Sequence, residues 1–114
     1  MSEYKEILRH LAVNDRRLIA GLSCVDEPAS ERHLGDRTRA LVRVASLAAI
    51  GGSVETFRWT IQDALEAGAD QDEVVAVLLA IAPLVGVARI SAIAPVVALA
   101  LDYDLDSALE SHYG

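Results

Sequence analysis

Cysteine is almost absent from this sequence, since Cys24 is the only one. A single cysteine excludes an internal disulfide, a Cys-x-x-Cys redox pair and a cysteine-rich zinc site. Cys24 also has no basic neighbour in the sequence that would stabilise its thiolate. The sequence therefore predicts a cysteine that serves packing and is not a reactive thiol.

Histidine is scarce as well, and no histidine has a partner at the spacing of a metal site. His10, His33 and His112 lie far apart in the sequence. Metal sites in proteins need several such ligands at short, regular intervals. We therefore expect no metal site and no cofactor. His33 lies in an aperiodic stretch, which favours a solvated side chain over a functional one.

Positive charge is in the minority, because 10 Lys and Arg face 17 Asp and Glu, a formal net charge of -7 at pH 7. This balance argues against nucleic acid as a partner, since a phosphate backbone requires a basic surface. It argues equally against recruitment to an anionic membrane surface. The first ten residues include four charged ones in place of an apolar run, so we expect no signal peptide and a cytoplasmic location.

Aromatic residues make up only 4% of the chain, although hydrophobic residues make up 53%. Most of the apolar residues are Ala, Val, Leu and Ile, without the alternation of β-strands, which predicts an all-α fold of close-packed helices. The length of 114 residues fits a single domain. We divide it into an N-terminal helix and connection (residues 1–35), a core (36–101) and a C-terminal tail or short helix (102–114).

The first helix is predicted from apolar residues that follow the three-and-four spacing of one buried stripe. Ser2 is placed to cap this helix, and Asn14 and Asp15 are placed to break it. The stripe consists of Tyr4, Ile7, Leu8, Leu11, Ala12, Leu18, Ile19 and Leu22. Residues 23–35 then lose the periodicity and contain proline, serine and glycine, which predicts a surface connection.

Two helices of the core are delimited by clear start and stop signals. Asp36 is predicted to cap a helix over residues 36–50, and the pair Gly51-Gly52 ends it by supplying the left-handed conformation of a helix stop. Ser53 then caps the next helix, with Glu55 in its first turn, where the helix dipole favours an acid. Gly68 closes that helix. Asp70 and Glu73 follow with the spacing of a capping box.

The span from Val74 to Leu101 contains only one charged residue, Arg89, so a membrane span must be considered. Pro83 and Gly86 divide the span into halves too short to cross a bilayer, and an arginine at its centre is costly there. We therefore predict two helices that are apolar on most of their surface. A chain of this size cannot cover both alone, so we expect other copies of the chain to cover the rest in a homo-oligomer.

The core segments TRALVRVASLAAIGG and SVETFRWTIQDALEAGADQDEVVAVLLAIAPLVGVARISAIAPVVALAL resemble the carboxymuconolactone decarboxylase family. The resemblance covers about residues 36–101, and its most telling part is ALEAGADQDEVVAVLLAIAPLVGV. The family shares its core with the alkylhydroperoxidase D-like proteins. The resemblance implies a compact all-helical bundle that assembles as trimers or hexamers.

The reactive positions of the family do not carry over to this sequence. In the peroxidase-like branch, the resemblance would place the two redox cysteines at Ser53 and Thr56. A histidine common to both branches would fall at Thr60, and a glutamate of the redox members near Ala40 or Leu41. A hydroxyl cannot cycle through a disulfide, and threonine cannot exchange a proton near neutral pH as histidine does.

The resemblance implies a small-molecule enzyme that removes CO2 from a carboxylated muconolactone, which requires a proton donor at carbon and support for an enolate. The candidate pocket residues are Ser53, Thr56, Thr60, Arg89, Arg43 and Glu55, and no catalytic residue is assigned. Arg89, alone among apolar residues, must reach an edge, pair with an acid, such as Glu66 or Asp63 across a subunit interface, or hold an anion.

Two other functions stay open at this point. One is a non-catalytic helical oligomer that keeps the pocket and binds a small molecule; the replaced site residues favour it. The other is a thiol peroxidase of the alkylhydroperoxidase or peroxiredoxin type, which family membership implies and the missing cysteine pair opposes. Phe57 and Trp59 are expected in the core or in subunit contacts.

Overall fold

Helices account for the regular structure of the chain in a computed structural model that describes residues 3–17, 20, 33–104 and 107. Within these residues there are no strands, so the predicted all-α fold is confirmed. The predictions for Ser2, Cys24 and His112, for most of the connection and for most of the tail lie outside the described residues. The helices are α1 (Glu3–Ala12), α2 (Asp36–Ile50), α3 (Val54–Glu66), α4 (Gln71–Val85) and α5 (Val87–Ala100).

The chain divides into two compact units, Met1–Leu34 and Gly35–Gly114. In the first unit, α1 ends where the sequence predicted a break. Asn14 has a φ of 55°, a left-handed conformation in which the chain leaves the helix. Asp15 follows, and its carboxylate accepts a hydrogen bond of 3.0 Å from the backbone N–H of Arg17.

Local signals set the helix boundaries of the second unit as the sequence predicted. The Ser53 hydroxyl caps α3 by accepting a hydrogen bond of 3.1 Å from the backbone N–H of Thr56. Asp70 and Glu73 form a reciprocal capping box at the start of α4, with hydrogen bonds of 2.8 and 3.2 Å. Gly68, with a φ of 105°, follows the end of α3.

The prediction that Asp36 caps α2 is wrong by one residue. Gly35 occupies the cap position, where it has no side chain to donate or accept, and Asp36 is the first helical residue. The Asp36 carboxylate instead pairs with the guanidinium of Arg39, one turn further along the helix. An acid in this first turn still interacts favourably with the helix dipole.

The core of the second unit lies between α2, α3, α4 and α5. Each helix contributes a short stripe of apolar side chains, many of them alanines that let the helices approach closely. No polar or charged side chain is buried among the described residues. The buried residues on the four helices are Ala40, Val44, Ala48, Phe57, Ile61, Ala64, Val74, Leu78, Val97 and Ala100.

The apolar span after Val74 forms two helices, as predicted, but only Gly86 divides them. Gly86 has a φ of 99° and is the single residue between α4 and α5. Pro83 lies inside the last turns of α4 and Pro95 lies inside α5, so neither proline ends a helix. Among the described residues, no helix combines the length and the apolar character that crossing a membrane requires.

Candidate functional site at the α2–α3 corner

Two consecutive glycines form the tight connection between α2 and α3. Gly51 has a φ of 91°, and its N–H donates to the carbonyl of Leu47 at 2.7 Å, which closes α2. A β-carbon on Gly52 would lie 2.7 Å from Leu47 Cδ1 and 3.7 Å from Thr56 Cβ. The first of these distances is too short for any side chain. A side chain at Gly52 would therefore have to displace the end of the Leu47 side chain.

Ser53 and Thr56 carry two adjacent hydroxyl groups at the start of α3. Their oxygens are 2.8 Å apart, a hydrogen bond in which either hydroxyl can donate. Both side chains are exposed. The positions that would hold redox cysteines by family resemblance are thus occupied by a hydrogen-bonded hydroxyl pair that also caps the helix.

Arg89 of α5 reaches this corner from a distant part of the sequence. Its Nη1 atom lies 3.5 Å from the point where a β-carbon on Gly51 would stand. Arg89 is exposed, so its side chain reaches an edge of the bundle, which is one of the three alternatives that the sequence left open for it. Within the described part of the chain it makes no ion pair, and an ion pair with an acid across a subunit interface stays a prediction.

The other candidate residues lie further from the two glycines. Thr60 is half-buried and stands one turn beyond Thr56, about 6 Å along the axis of α3. Glu55 is exposed in the first turn of α3. Arg43 is exposed on α2, about 12 Å along the axis from Gly51, and has an interaction of its own. The structure thus brings Arg89, Ser53 and Thr56 to one corner and leaves Arg43 two turns away.

We use the name glycine corner for Gly51, Gly52, Ser53, Thr56 and Arg89. The corner combines a guanidinium, two hydroxyls and the start of a helix, where backbone N–H groups lack intrahelical acceptors and the dipole is positive. Such a set of donors suits an anion, and a carboxylate in particular, because a guanidinium can donate two parallel hydrogen bonds to it. The absence of a side chain on Gly51 leaves room beside Arg89 Nη1.

The role of the glycines was not recognised in the sequence, where they served only to end α2. One glycine is enough to end a helix. The second glycine was the available signal that the chain also needed room at this point.

The described histidines lie elsewhere. In the first unit, His10 Nδ1 is 3.0 Å from Asp15 Oδ2 and its Nε2 is 3.8 Å from Glu6 Oε2, beside a cavity of about 360 Å³. His33 is exposed. In the described parts of the chain no group of three or more histidine, cysteine or acidic residues is arranged to hold a metal ion.

A second concave surface lies between α4 and α5. This groove has a volume of about 280 Å³, and its walls include Val75 and Leu79 of α4, Ile90, Ala94 and Ala98 of α5, and Tyr103. None of the six candidate pocket residues lines this groove or the cavity beside His10. That Thr60 and Arg89 line one cavity stays a prediction.

Comparison with known proteins identifies one family. The family model for the carboxymuconolactone decarboxylase family matches residues 24–99. The match covers about two thirds of the chain and includes the glycine corner and nearly all of α2, α3, α4 and α5. No curated protein and no solved structure matches the chain.

Proposed function

Because this chain belongs to the carboxymuconolactone decarboxylase family, we propose that it binds a small carboxylated molecule at the glycine corner. The observation that carries the proposal is the position of Arg89 Nη1, 3.5 Å from the point where Gly51 would bear a side chain. The guanidinium has no ion-pair partner among the described residues, so its charge is available to a ligand.

The start of α3 provides the second half of the binding site. The N–H of Thr56 is occupied by the Ser53 cap. The N–H groups of Val54 and Glu55 precede it in the first turn, where a helix offers no internal acceptor, and they are the donors left for a ligand. A carboxylate held between these N–H groups and Arg89 would be bound on two sides. The exposed hydroxyls of Ser53 and Thr56 add short-range hydrogen bonds.

The second part of the proposal is the reaction that the family implies. In it the bond between the ring carbon and the carboxyl carbon breaks, and CO2 leaves. The electron pair spreads onto the lactone carbonyl oxygen as an enolate, and a proton then adds to carbon. The positive charge of Arg89 and the helix start favour such an enolate. Because Thr60 stands where the family has a histidine, the proton would come from Glu55 or water.

Binding is tested by titration calorimetry with a carboxylated muconolactone and with its dimethyl ester, in which both carboxyl groups are esterified. The acid is expected to bind, and the ester, which has no carboxylate charge, is expected to bind at least about tenfold more weakly because a charge-assisted hydrogen bond contributes more than a neutral one. Arg89→Ala is expected to abolish binding of the acid. Arg58→Ala removes an exposed arginine of α3 with the same change in net charge and is expected to leave binding unchanged. Equal losses in the two variants would contradict the proposal.

A structural role for Arg89 is separated from binding in the same experiment. Arg89 lies beside the end of α2, where the last carbonyl groups also attract a cation. If that is its main role, Arg89→Ala lowers the free energy of unfolding. The acid and the ester then bind with equally low affinity to the unchanged protein and to the variant. If Arg89 holds the ligand, affinity for the acid falls and urea unfolding of the free protein changes little.

The variant Thr60→Val tests whether the ligand extends to the second turn of α3. Loss of one hydrogen bond is expected to weaken binding by about 0.5–1.5 kcal/mol.

Measurement of CO2 release then distinguishes an enzyme from a binding protein. Release that depends on Arg89 favours the decarboxylase, whereas binding without release favours the non-catalytic alternative.

We do not favour a thiol peroxidase, because hydroxyls occupy both positions of the redox pair. An assay with a hydroperoxide and a dithiol should show no turnover above the uncatalysed rate. Turnover that Cys24→Ser abolishes would show that this cysteine is reactive and that the peroxidase alternative is correct.

A further inference from the structure

We propose that the carboxylate bound at the glycine corner belongs to a monocarboxylate with an apolar body, such as a straight-chain aliphatic acid, a proposal that rests on the proposed function. Two features of the corner select this class of ligand. One is the number of cations that it offers, and the other is the set of apolar atoms beside Gly52. A dicarboxylate is expected to bind less tightly.

Among the described residues of the second unit, the corner offers one cation to a ligand. Arg89 is the only charged residue of α5. No charged residue lies between Arg43 and Glu55, and Arg43 is about 12 Å from Gly51 along the axis of α2. The nearest charge on α3 is the exposed carboxylate of Glu55, which repels an anion. One guanidinium therefore binds one carboxylate.

Arg58 is the other arginine near the start of α3, and helix geometry directs it away from the corner. It follows Thr56 by two residues, which corresponds to a rotation of roughly 200° about the helix axis. Thr56 faces the corner, since its β-carbon lies 3.7 Å from the point where a β-carbon on Gly52 would stand. A second carboxylate on the ligand would thus meet no cation in the described part of this unit, and it would lie near the charge of Glu55.

Apolar atoms form the side of the corner at Gly52. A β-carbon on Gly52 would lie 2.7 Å from Leu47 Cδ1 and 3.7 Å from Thr56 Cγ2. Ile50 and Val54 flank the two glycines in the sequence and are 80% and 40% exposed. An alkyl group that covers these side chains removes apolar surface from water on both molecules, which favours binding.

The cation and the apolar atoms are close enough to contact one small ligand. Arg89 Nη1 lies beside Gly51, and the apolar atoms lie beside Gly52, the next residue. Consecutive α-carbons are about 3.8 Å apart. An acid whose carboxylate binds Arg89 therefore places its first methylene groups beside Leu47 and Thr56. A second carboxylate in that position would lose hydration without a compensating charge, which is costly.

The test is titration calorimetry of the full chain with butanoate, hexanoate and octanoate, and with octanedioate as the matched dicarboxylate. Each added methylene group is expected to tighten binding at least about twofold, because complete burial of one corresponds to about a fourfold change. Octanedioate is expected to bind at least about tenfold more weakly than octanoate. Equal affinities for these two acids, or an affinity that does not depend on chain length, would overturn the proposal while leaving the binding of a carboxylate intact.

The variant Ile50→Ser tests the apolar side of the corner. Because this side chain is 80% exposed, its loss is expected to leave the fold intact, which circular dichroism verifies. The affinity for octanoate should fall more than the affinity for butanoate. Val42→Ser makes a similar change at a valine of α2 that is 50% exposed and about two turns away, and it should change neither affinity. Equal effects of the two variants would contradict a role for Ile50.

Failure of the proposed function gives a different result in the same titrations. Arg89→Ala is expected to abolish binding of octanoate. Octanoate that binds this variant as tightly as the unchanged protein would show that the acid occupies another apolar surface, such as the groove between α4 and α5. In that case, or if none of the acids binds, the corner is not a carboxylate site and both proposals are wrong.

Discussion

Ser53 and Thr56 show at the scale of single residues how one turn of a helix brings two side-chain groups into contact. Their side-chain oxygens are 2.8 Å apart across one turn of α3, a spacing that would also bring two sulfur atoms together. The serine remains useful as a helix cap, which a hydroxyl serves well. The contact between the two hydroxyls is therefore compatible with the helix cap.

We predict that Ser53→Cys with Thr56→Cys forms a disulfide under mild oxidation, in a Cys24→Ser background that contains no other thiol. The two side chains already point toward each other, and the start of a helix favours the thiolate that attacks. Mass spectrometry would show the loss of two hydrogen atoms. The control, Ser53→Cys with Thr60→Cys, separates the sulfurs by two turns and should keep both thiols free. Free thiols in both variants would contradict the geometry at the corner.

Phe57 and Trp59 differ in burial, although the sequence predicted core or subunit contacts for both. Phe57 is 2% exposed and lies in the core, whereas Trp59 is 67% exposed on the same helix. Phe57→Ala is expected to lower the free energy of unfolding by about 3–5 kcal/mol through lost burial and a cavity. Trp59→Ala is expected to cost less than about 0.5 kcal/mol in the dilute, dissociated protein. Urea unfolding measures both, and a large loss for Trp59→Ala under these conditions would show that something covers this side chain.

Helix starts are the elements in which sequence and structure agree best, and the start of α4 can be tested. Asp70 and Glu73 exchange hydrogen bonds of 2.8 and 3.2 Å. Asp70→Ala is expected to lower the free energy of unfolding by about 1 kcal/mol, because it removes the cap. Asp72→Ala removes an exposed acid of the same turn that makes no hydrogen bond among the described side chains, and it should cost less. Equal losses would mean that charge and not capping stabilises this helix.

The elements could be predicted because their signals are local. Ser53, Asp70 and Gly86 act on chain segments of a few residues, so the sequence suffices to place the starts of α3 and α4 and the break before α5. Pro83 misled the prediction, because a proline near the end of a helix loses only a single hydrogen bond and does not have to end it. The family resemblance added the prediction that these helices pack into one compact bundle.

The glycine corner could be predicted only in part, because it combines residues that are distant in the sequence. Ser53 and Thr56 are neighbours on one helix, and the sequence placed them together. Arg89 belongs to α5, and its approach to Gly51 depends on how α5 packs on the rest of the bundle. No spacing rule connects these positions, so the sequence left open whether Arg89 reaches an edge, pairs with an acid or holds an anion.

At the scale of the whole molecule, the second unit separates its charge from its apolar surface. Acids lie at the ends of α4 and α5, whereas Arg89 is the only charged residue between Val74 and Leu101. The resemblance implied either trimers or hexamers. Which of the two this chain forms stays a prediction.

The uncharged face of α4 and α5 also has a consequence for the temperature range in which an assembly would hold together. Contacts between apolar surfaces are driven mainly by entropy near room temperature and weaken on cooling. We predict that the assembly dissociates more readily at about 5 °C than at about 30 °C, and that sodium sulfate reverses the effect of cold because it strengthens the burial of apolar surface. Sedimentation of a dilution series at both temperatures measures this. Leu79→Glu, which places a charge among the exposed apolar side chains of α4, is the reference, and an assembly that tightens on cooling would point to polar contacts instead.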